Sequence, residues 1–336
     1  MTIDHTETVR ELSRTYLSER KMEVREATLT NQKYHIHAFA DWAEDIELGP
    51  AHNLNGYTVN QFKTWKRDQT EIADITLYNT LMSIRGFLKW GEKRELIQEG
   101  VHEKLDIPEV DDPTRHTTIP PERATKILDY YSKYKYASQD HILFYLLYHT
   151  GIRVGTAIGI DVDDWKPEQR LLQLRDRPNT DTPLKNKEKG QRDVVIARDG
   201  LVNALNDYIE NHNGTKDKHG RTPLFTTREG RPTRQTLQLY VQNLTQPCQY
   251  TNECPHGRDV STCDYKHKMK DSPKCPSAVS PHPIRRSAIT HHLNSDVPKQ
   301  TVAERMNVSI KVLEEHYNEQ THEESANVRR KYLDNV

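Results

Sequence analysis

The chain has 336 residues, with 48 Lys and Arg against 49 Asp and Glu, a net charge of -1 and a mean hydropathy of -0.91. Such a length accommodates two domains with a core each, and no apolar run reaches the roughly 20 residues that a bilayer-spanning helix requires. The near-zero net charge neither demands nor excludes a polyanionic partner, because local patches decide binding. The opening MTIDHTETVRELSRTYLSERK lacks the basic-then-apolar layout of a secretory signal, so a cytoplasmic location with reduced thiols is expected.

Residues 7 to about 107 read as four or five short amphipathic helices. TVRELSRTYLSERK repeats apolar residues at helical spacing, and ATLTNQKYHIHAFADWAEDI sets Tyr34, Ala38 and Trp42 four apart. TVNQFKTWKRDQ and TLYNTLMSIRGFLKWGEK continue the pattern, with Lys63, Lys66, Arg67, Arg85, Lys89 and Lys93 on faces suited either to tracking DNA phosphates or simply to solvent. The division expected is a helical domain over 1–108, a Pro- and Asp-rich linker over 109–119, and a second domain over 120–336.

The second region opens with a helix started by Pro120 and Pro121. In QDHILFYLLYHTGIR, the run Ile142 to Tyr148 is apolar almost all round. That predicts a buried helix, which Gly151 is placed to end in a left-handed cap, with Arg153 following at once. RLLQLRDR and QRDVVIA read as strands joined by the loop PNTDTPLKNKEKG. The fold class expected is mainly α with a small β-sheet.

The stretch SPHPIRRSAITHHL crowds positive charge at a helix start, where the dipole is already positive, and so asks for an anion. Pro283 suits the first helical position, making His282 the cap and Arg285 its neighbour one turn along. Together with Arg153 these supply two guanidinium forks and an imidazole, the equipment for holding one phosphodiester and managing its protons.

HTGIRVGTAIGIDVDDW resembles the first-arginine box of tyrosine recombinases, the phage integrases and Xer-type enzymes, and HPIRRSAITHHL resembles their His-x-x-Arg box. AERMNVSIKVLEEHYNEQ is similar to their terminal box, which makes Tyr317 the nucleophile. The likeness covers nearly the whole chain and is greatest to archaeal, particularly haloarchaeal, integrases. It implies a helical, SAM-like core-binding domain clamping DNA, followed by an α+β catalytic domain. It further implies a homo-tetramer on double-stranded DNA at specific sites, and a 3'-phosphotyrosine intermediate that needs neither ATP nor a catalytic metal. Arg153 and Arg285 would neutralise the nonbridging oxygens, His282 would assist with protons, and Arg286 would add a DNA contact.

A hairpin lysine is the family's usual acid for the leaving hydroxyl. Aligning LKN favours Lys185, whereas counting back from Arg192 favours Lys187; Lys185 ranks first. Thr156 stands where an acidic residue often supports the first arginine, and Asn307 where a second histidine normally sits. Asparagine can donate a hydrogen bond but cannot carry a proton near neutrality, and His316 is the candidate to compensate. Ile310, Leu313 and Tyr317 also fall at core-stripe spacing. The competing readings are a DNA-binding relative without chemistry and a zinc-dependent nuclease. The stretch THEESANVRRKYLDNV is a candidate helix for docking on a neighbour.

Cys248, Cys254, Cys263 and Cys275 lie in an insert at 246–277, spaced by intervals of six, nine and twelve positions, with His256 and His267 nearby. In a reducing compartment four thiolates suggest structural zinc that folds a loop poor in core, with free thiols or a disulfide pair as alternatives.

Overall fold

The Thr8 hydroxyl accepts the Glu11 N-H at 3.3 Å while the Glu11 carboxylate accepts the Thr8 N-H at 2.8 Å. This capping box starts α1 (Val9–Glu23). The computed structural model describes residues 6–69, 72–110, 117–212 and 214–317, with side chains described up to 314. It divides into two compact units, Met1–Arg115 and His116–Val336.

The first unit is helical: α1, α2 (Glu26–Asp45), α3 (Gly56–Gln69) and α4 (Asp74–Glu92). Its core is aromatic, with Phe39 and Phe62 edge to face at 5.1 Å and Trp42 against Phe62 at 5.4 Å. The buried face of α2 is Ile36, Phe39, Ala40, Trp42 and Ala43, whereas Tyr34 is 65 % exposed. Eight residues carry the side-chain direction about 80° past a full number of turns, so Tyr34 leaves the face that Trp42 occupies. Leu105, within the span expected as the helical domain, is buried in this unit's core.

The second unit begins with α5 (Pro121–Tyr134). Its central helix α6 (Gln139–Thr150) is capped by Ser138 and is buried on nearly every side, with α5, α8 (Asp199–Glu210), α9 (Arg234–Leu244) and α12 (Pro281–Asn294) packed around it. Gly151 ends α6 at φ 60°, ψ 18°, the left-handed cap expected. Any Cβ there would also lie 2.6 Å from the Met306 sulfur, so both conformation and packing require glycine.

The two expected strands pair as β2 (Leu171–Leu174) and β3 (Arg192–Val195), antiparallel with Leu172 opposite Val194. A two-residue strand, β1 (Trp165–Lys166), extends the sheet to the order β1-β2-β3. Between α7 (Val154–Gly159) and this sheet, Asp161 holds Arg221 at 2.7 Å and Arg231 at 2.5 Å, with Arg177 at 3.6 Å. Arg177 also pairs with Asp164 at 2.5 Å, and Arg231 with Asp217 at 2.8 Å.

The insert contains α10 (Pro247–Tyr250) and α11 (Asp264–His267). It is tied down by hydrogen bonds: Gln246 Nε2 donates to the Tyr265 carbonyl at 2.8 Å, Asn243 Nδ2 to the Lys266 carbonyl at 3.1 Å, and Arg123 Nη2 to the Ser277 carbonyl at 2.5 Å. At the start of the unit the Ile119 N-H donates to Ser287 Oγ at 2.7 Å, and that hydroxyl donates back to the Ile119 carbonyl at 3.0 Å. Ile119, placed in the linker on sequence, is thus core here. The chain then runs through α13 (Lys299–Met306) and α14 (Ile310–Tyr317), whose Leu313 joins Ile289, Val302 and Met306 in a small satellite core.

Candidate active site

The helix α12 starts two residues earlier than expected, with Ser280 as its cap and Pro281 at its first position. Ser280 makes no side-chain capping bond, and because Pro281 and Pro283 lack an N-H, His282 supplies the sole backbone donor among the first three helical residues. One turn on, Arg285 is 4 % exposed and donates from Nη1 to the Gly151 carbonyl at 2.6 Å. Arg153 caps the start of α7 and donates from Nη1 to the Asn307 carbonyl at 2.9 Å. Each guanidinium is therefore anchored through one nitrogen on a main-chain oxygen.

These elements converge on His282. Loss of water around its ring, then the charges of Arg286, Arg285, Arg153 and Lys185, hold the imidazole below its ordinary range. A neutral ring at pH 7 can accept a proton, and the cations around it leave a strongly positive place for an anion. Lys185 is exposed on the loop between β2 and β3 and belongs to this electrostatic neighbourhood. Lys187, in a left-handed conformation at φ 52°, is not among the charges acting on His282.

Thr156 is buried and its N-H bonds back to the Arg153 carbonyl at 2.8 Å, so it offers the guanidinium nothing. The support comes instead from Asn307, 154 positions away. Arg286, expected at a DNA surface, is 5 % exposed with its Nη1 buried and unmatched by an acceptor. His316 and Tyr317 fall on the last turn of α14, and their side chains lie outside the described residues, as does the stretch 321–336. Sequence reasoning did not find Arg192. It donates from Nε to the Arg305 carbonyl at 2.7 Å and from Nη1 to the Gly190 carbonyl at 2.9 Å, and burial, with Arg153 and Arg305 close by, pushes it down to about 10.

In the first unit, Arg85 and Lys89 are exposed and Lys63 is half-buried on its helix. Lys66 sits over the Tyr34 and Trp65 rings at 5.9 and 5.8 Å, and Arg67 pairs with Asp74 at 2.6 Å.

The zinc expectation finds no support. All four cysteines are free thiols, and among the described residues no three His, Cys, Asp or Glu side chains are arranged to hold a metal ion. Burial raises the Cys248 thiol, Lys266 opposes this, and the other three cysteines add to it, so the thiols share a neighbourhood without forming a ligand set. His256 and His267 are engaged elsewhere, with Ser277 at 2.9 Å and the Val260 carbonyl at 3.0 Å. Hydrogen bonds from Gln246, Asn243 and Arg123 hold the insert.

The fold, mostly helical with one small antiparallel sheet, is that of DNA integrases. It matches the Tn1549 transposon integrase in complex with transposon right end DNA at a TM-score of 0.71, 15 % identity, and 96 % and 99 % of the two chains. A lambda integrase dimer bound to a core site matches at 0.65 and 12 % identity over 94 % and 79 %, and a lambda integrase tetramer on a Holliday junction at 0.63 and 11 % over 91 % and 76 %. The chain belongs to the Phage integrase family, whose sequence pattern matches residues 117–324. It is also 26 % identical over 146 residues to the tyrosine recombinase XerC of Mycobacterium sp. (strain JLS), covering 41 % of this chain and 47 % of that protein. The chain thus spans about half the length of the curated relative it matches. Among the described residues no helix is long and apolar enough to cross a membrane.

Proposed function

We propose that this protein is a site-specific recombinase that cuts and rejoins double-stranded DNA through a 3'-phosphotyrosine at Tyr317. The observation that carries this reading is the gathering of Arg153, Arg285 and Lys185 around His282 at an uncapped helix start, in a chain of the Phage integrase family. Arg153 and Arg285 neutralise the two nonbridging oxygens, and removing one such donor costs on the order of 10² to 10³ in rate. Neutral His282 accepts the phenolic proton as the Tyr317 oxygen bonds to phosphorus. Lys185 gives a proton to the departing 5'-oxygen. The link preserves the phosphodiester energy, so the cycle consumes no ATP and calls for no cofactor. Lys63, Lys66, Arg67, Arg85 and Lys89 supply phosphate contacts, and paired cutting of two duplexes calls for a tetramer on DNA. The enzyme works in the cytoplasm, on DNA of a mobile element, and the wording of its terminal box supports a likeness to haloarchaeal-type integrases.

The test is DNA that stays on the protein after SDS denaturation, recovered from cells expressing wild type or Tyr317→Phe. Retention by wild type alone is expected, and sequencing the held ends locates the cleavage site. Equal retention by both would move the nucleophile elsewhere, and no retention by either, with native binding intact, would leave a DNA-binding protein without chemistry.

A further inference from the structure

The loop between β2 and β3 carries three exposed lysines, Lys185, Lys187 and Lys189, and is held by contacts at both its ends and its middle. Leu184 is buried, its N-H bonded to Asp176 Oδ1 at 2.6 Å, and a turn closes from the Lys187 N-H to the Leu184 carbonyl at 3.1 Å. Between them Asn186 reaches across 121 positions and donates from Nδ2 to Asn307 Oδ1 at 2.8 Å. Gly190, at the other end of the loop, packs so closely that a Cβ there would stand 3.1 Å from Asn307 Nδ2. Arg192 fastens the base of the same loop to the Arg305 carbonyl.

Asn307 itself terminates α13 in the left-handed region, at φ 50° and ψ 61°, where asparagine is among the few side chains tolerated. Its main-chain carbonyl accepts from Arg153 and its side-chain oxygen accepts from Asn186. A single residue thus touches the first catalytic arginine with its backbone and the lysine loop with its side chain.

We infer that Asn186 and Asn307 form a latch that sets Lys185 in register with Arg153, making both asparagines positioning residues for the proton transfer to the leaving 5'-oxygen. The inference rests on the function proposed above. In the step it serves, the Tyr317 oxygen bonds to phosphorus as the bond to the 5'-oxygen breaks. The phenolic proton goes to His282, and Lys185 passes one proton to the 5'-oxygen and becomes a neutral amine. The Asn307 side-chain oxygen is thus committed to the lysine loop.

The test uses the full chain and a duplex bearing the cleavage site, in two forms. One is ordinary DNA, and the other carries sulfur in place of the bridging 5'-oxygen, a leaving group that departs without a proton. Asn186→Ala removes the donor. Asn307→Gly removes the acceptor while keeping the left-handed backbone and the carbonyl on Arg153. Each variant is expected to cleave ordinary DNA about tenfold more slowly, the size of one lost hydrogen bond, with unchanged DNA affinity and melting temperature. The double variant is expected to be no slower than either single one. On the sulfur-bridged duplex all three should return to within about twofold of wild type, because there the lysine's proton is not needed. Wild-type rates for the variants on ordinary DNA, additive losses, or a defect that persists on the sulfur-bridged duplex would each overturn the latch while leaving the recombinase reading in place. Failure of wild type to form the covalent adduct on either duplex would overturn both.

Discussion

Two clusters of arginine in the second unit are built on opposite plans. Around Asp161, every guanidinium has a carboxylate: Arg177, Arg221 and Arg231 share Asp161, and Asp164 and Asp217 complete the set. Around His282, the charges of Arg286, Arg285, Arg153 and Lys185 all act on the ring, and Arg153 and Arg285 each donate to a main-chain carbonyl. The first cluster is neutral and holds α7, the sheet and the following loops together. The second gathers like charges around one imidazole, a place suited to an anion. Cations paired with carboxylates are thereby separated from cations gathered around a histidine.

The largest expected effect comes from breaking the neutral cluster. Asp161→Ala strands Arg221 and takes one of two carboxylates from Arg177 and Arg231, in a site where the Asp161 side chain is 11 % exposed, and should cost about 3–5 kcal/mol in urea unfolding. A loss under about 1 kcal/mol would mean that Arg221 finds solvent and the other two arginines rest on Asp164 and Asp217. In the charged cluster, Arg285→Lys should lower covalent adduct formation by roughly 10² to 10³ while the protein stays folded by circular dichroism, since what is lost is a ligand contact.

Gly151→Ala tests the hinge between the two arginines. Strain at φ 60° and the clash with Met306 should destabilise by about 1–3 kcal/mol in thermal unfolding. The charged plan also has a pH signature. Burial, then Arg198, His291, His292 and Arg305, pushes His149 down to about 3, burial alone takes His141 to about 4, and His282 is lowered as well. A histidine depressed in the fold takes its proton more readily when unfolded, so stability should fall as pH drops below roughly 6.5 and level off only near those low values. Urea unfolding between pH 7.5 and 4 should show this slope, and His149→Gln should flatten it; an unchanged slope would assign the effect to other groups. The smallest effect belongs to the first unit, where the exposed Arg67 and Asp74 form a surface pair. Arg67→Ala should change stability by less than about 1 kcal/mol, yet reduce the salt dependence of DNA binding by about one unit of slope.

What the sequence made legible was local. The apolar run ending in Gly151, the strands flanking the lysine loop, and the His282 and Arg285 spacing each depend on neighbours within a turn or a hairpin, and each appears in the fold. What escaped depends on partners far along the chain. Asp161 meets Arg221 and Arg231 across 60 and 70 positions, and Asn186 meets Asn307 across 121, with no periodicity to announce them. Arg286 reads as a surface cation, but it and Arg285 are both buried, at 5 and 4 % exposure, and both act on His282. The cysteines carried a compositional signal for metal, while the hydrogen bonds that brace the insert come from Gln246, Asn243 and Arg123, residue types common enough to give no signal.

The clip between Ile119 and Ser287 has a mechanical consequence. Ser287 lies two residues beyond Arg285 on α12, and its hydroxyl grips both polar groups of Ile119. The point where the backbone begins the second unit is thus fastened to the helix that carries His282 and Arg285. A pull on the backbone at Ile119 is delivered through two hydrogen bonds straight to that helix, as load on a lever instead of slack in a tether.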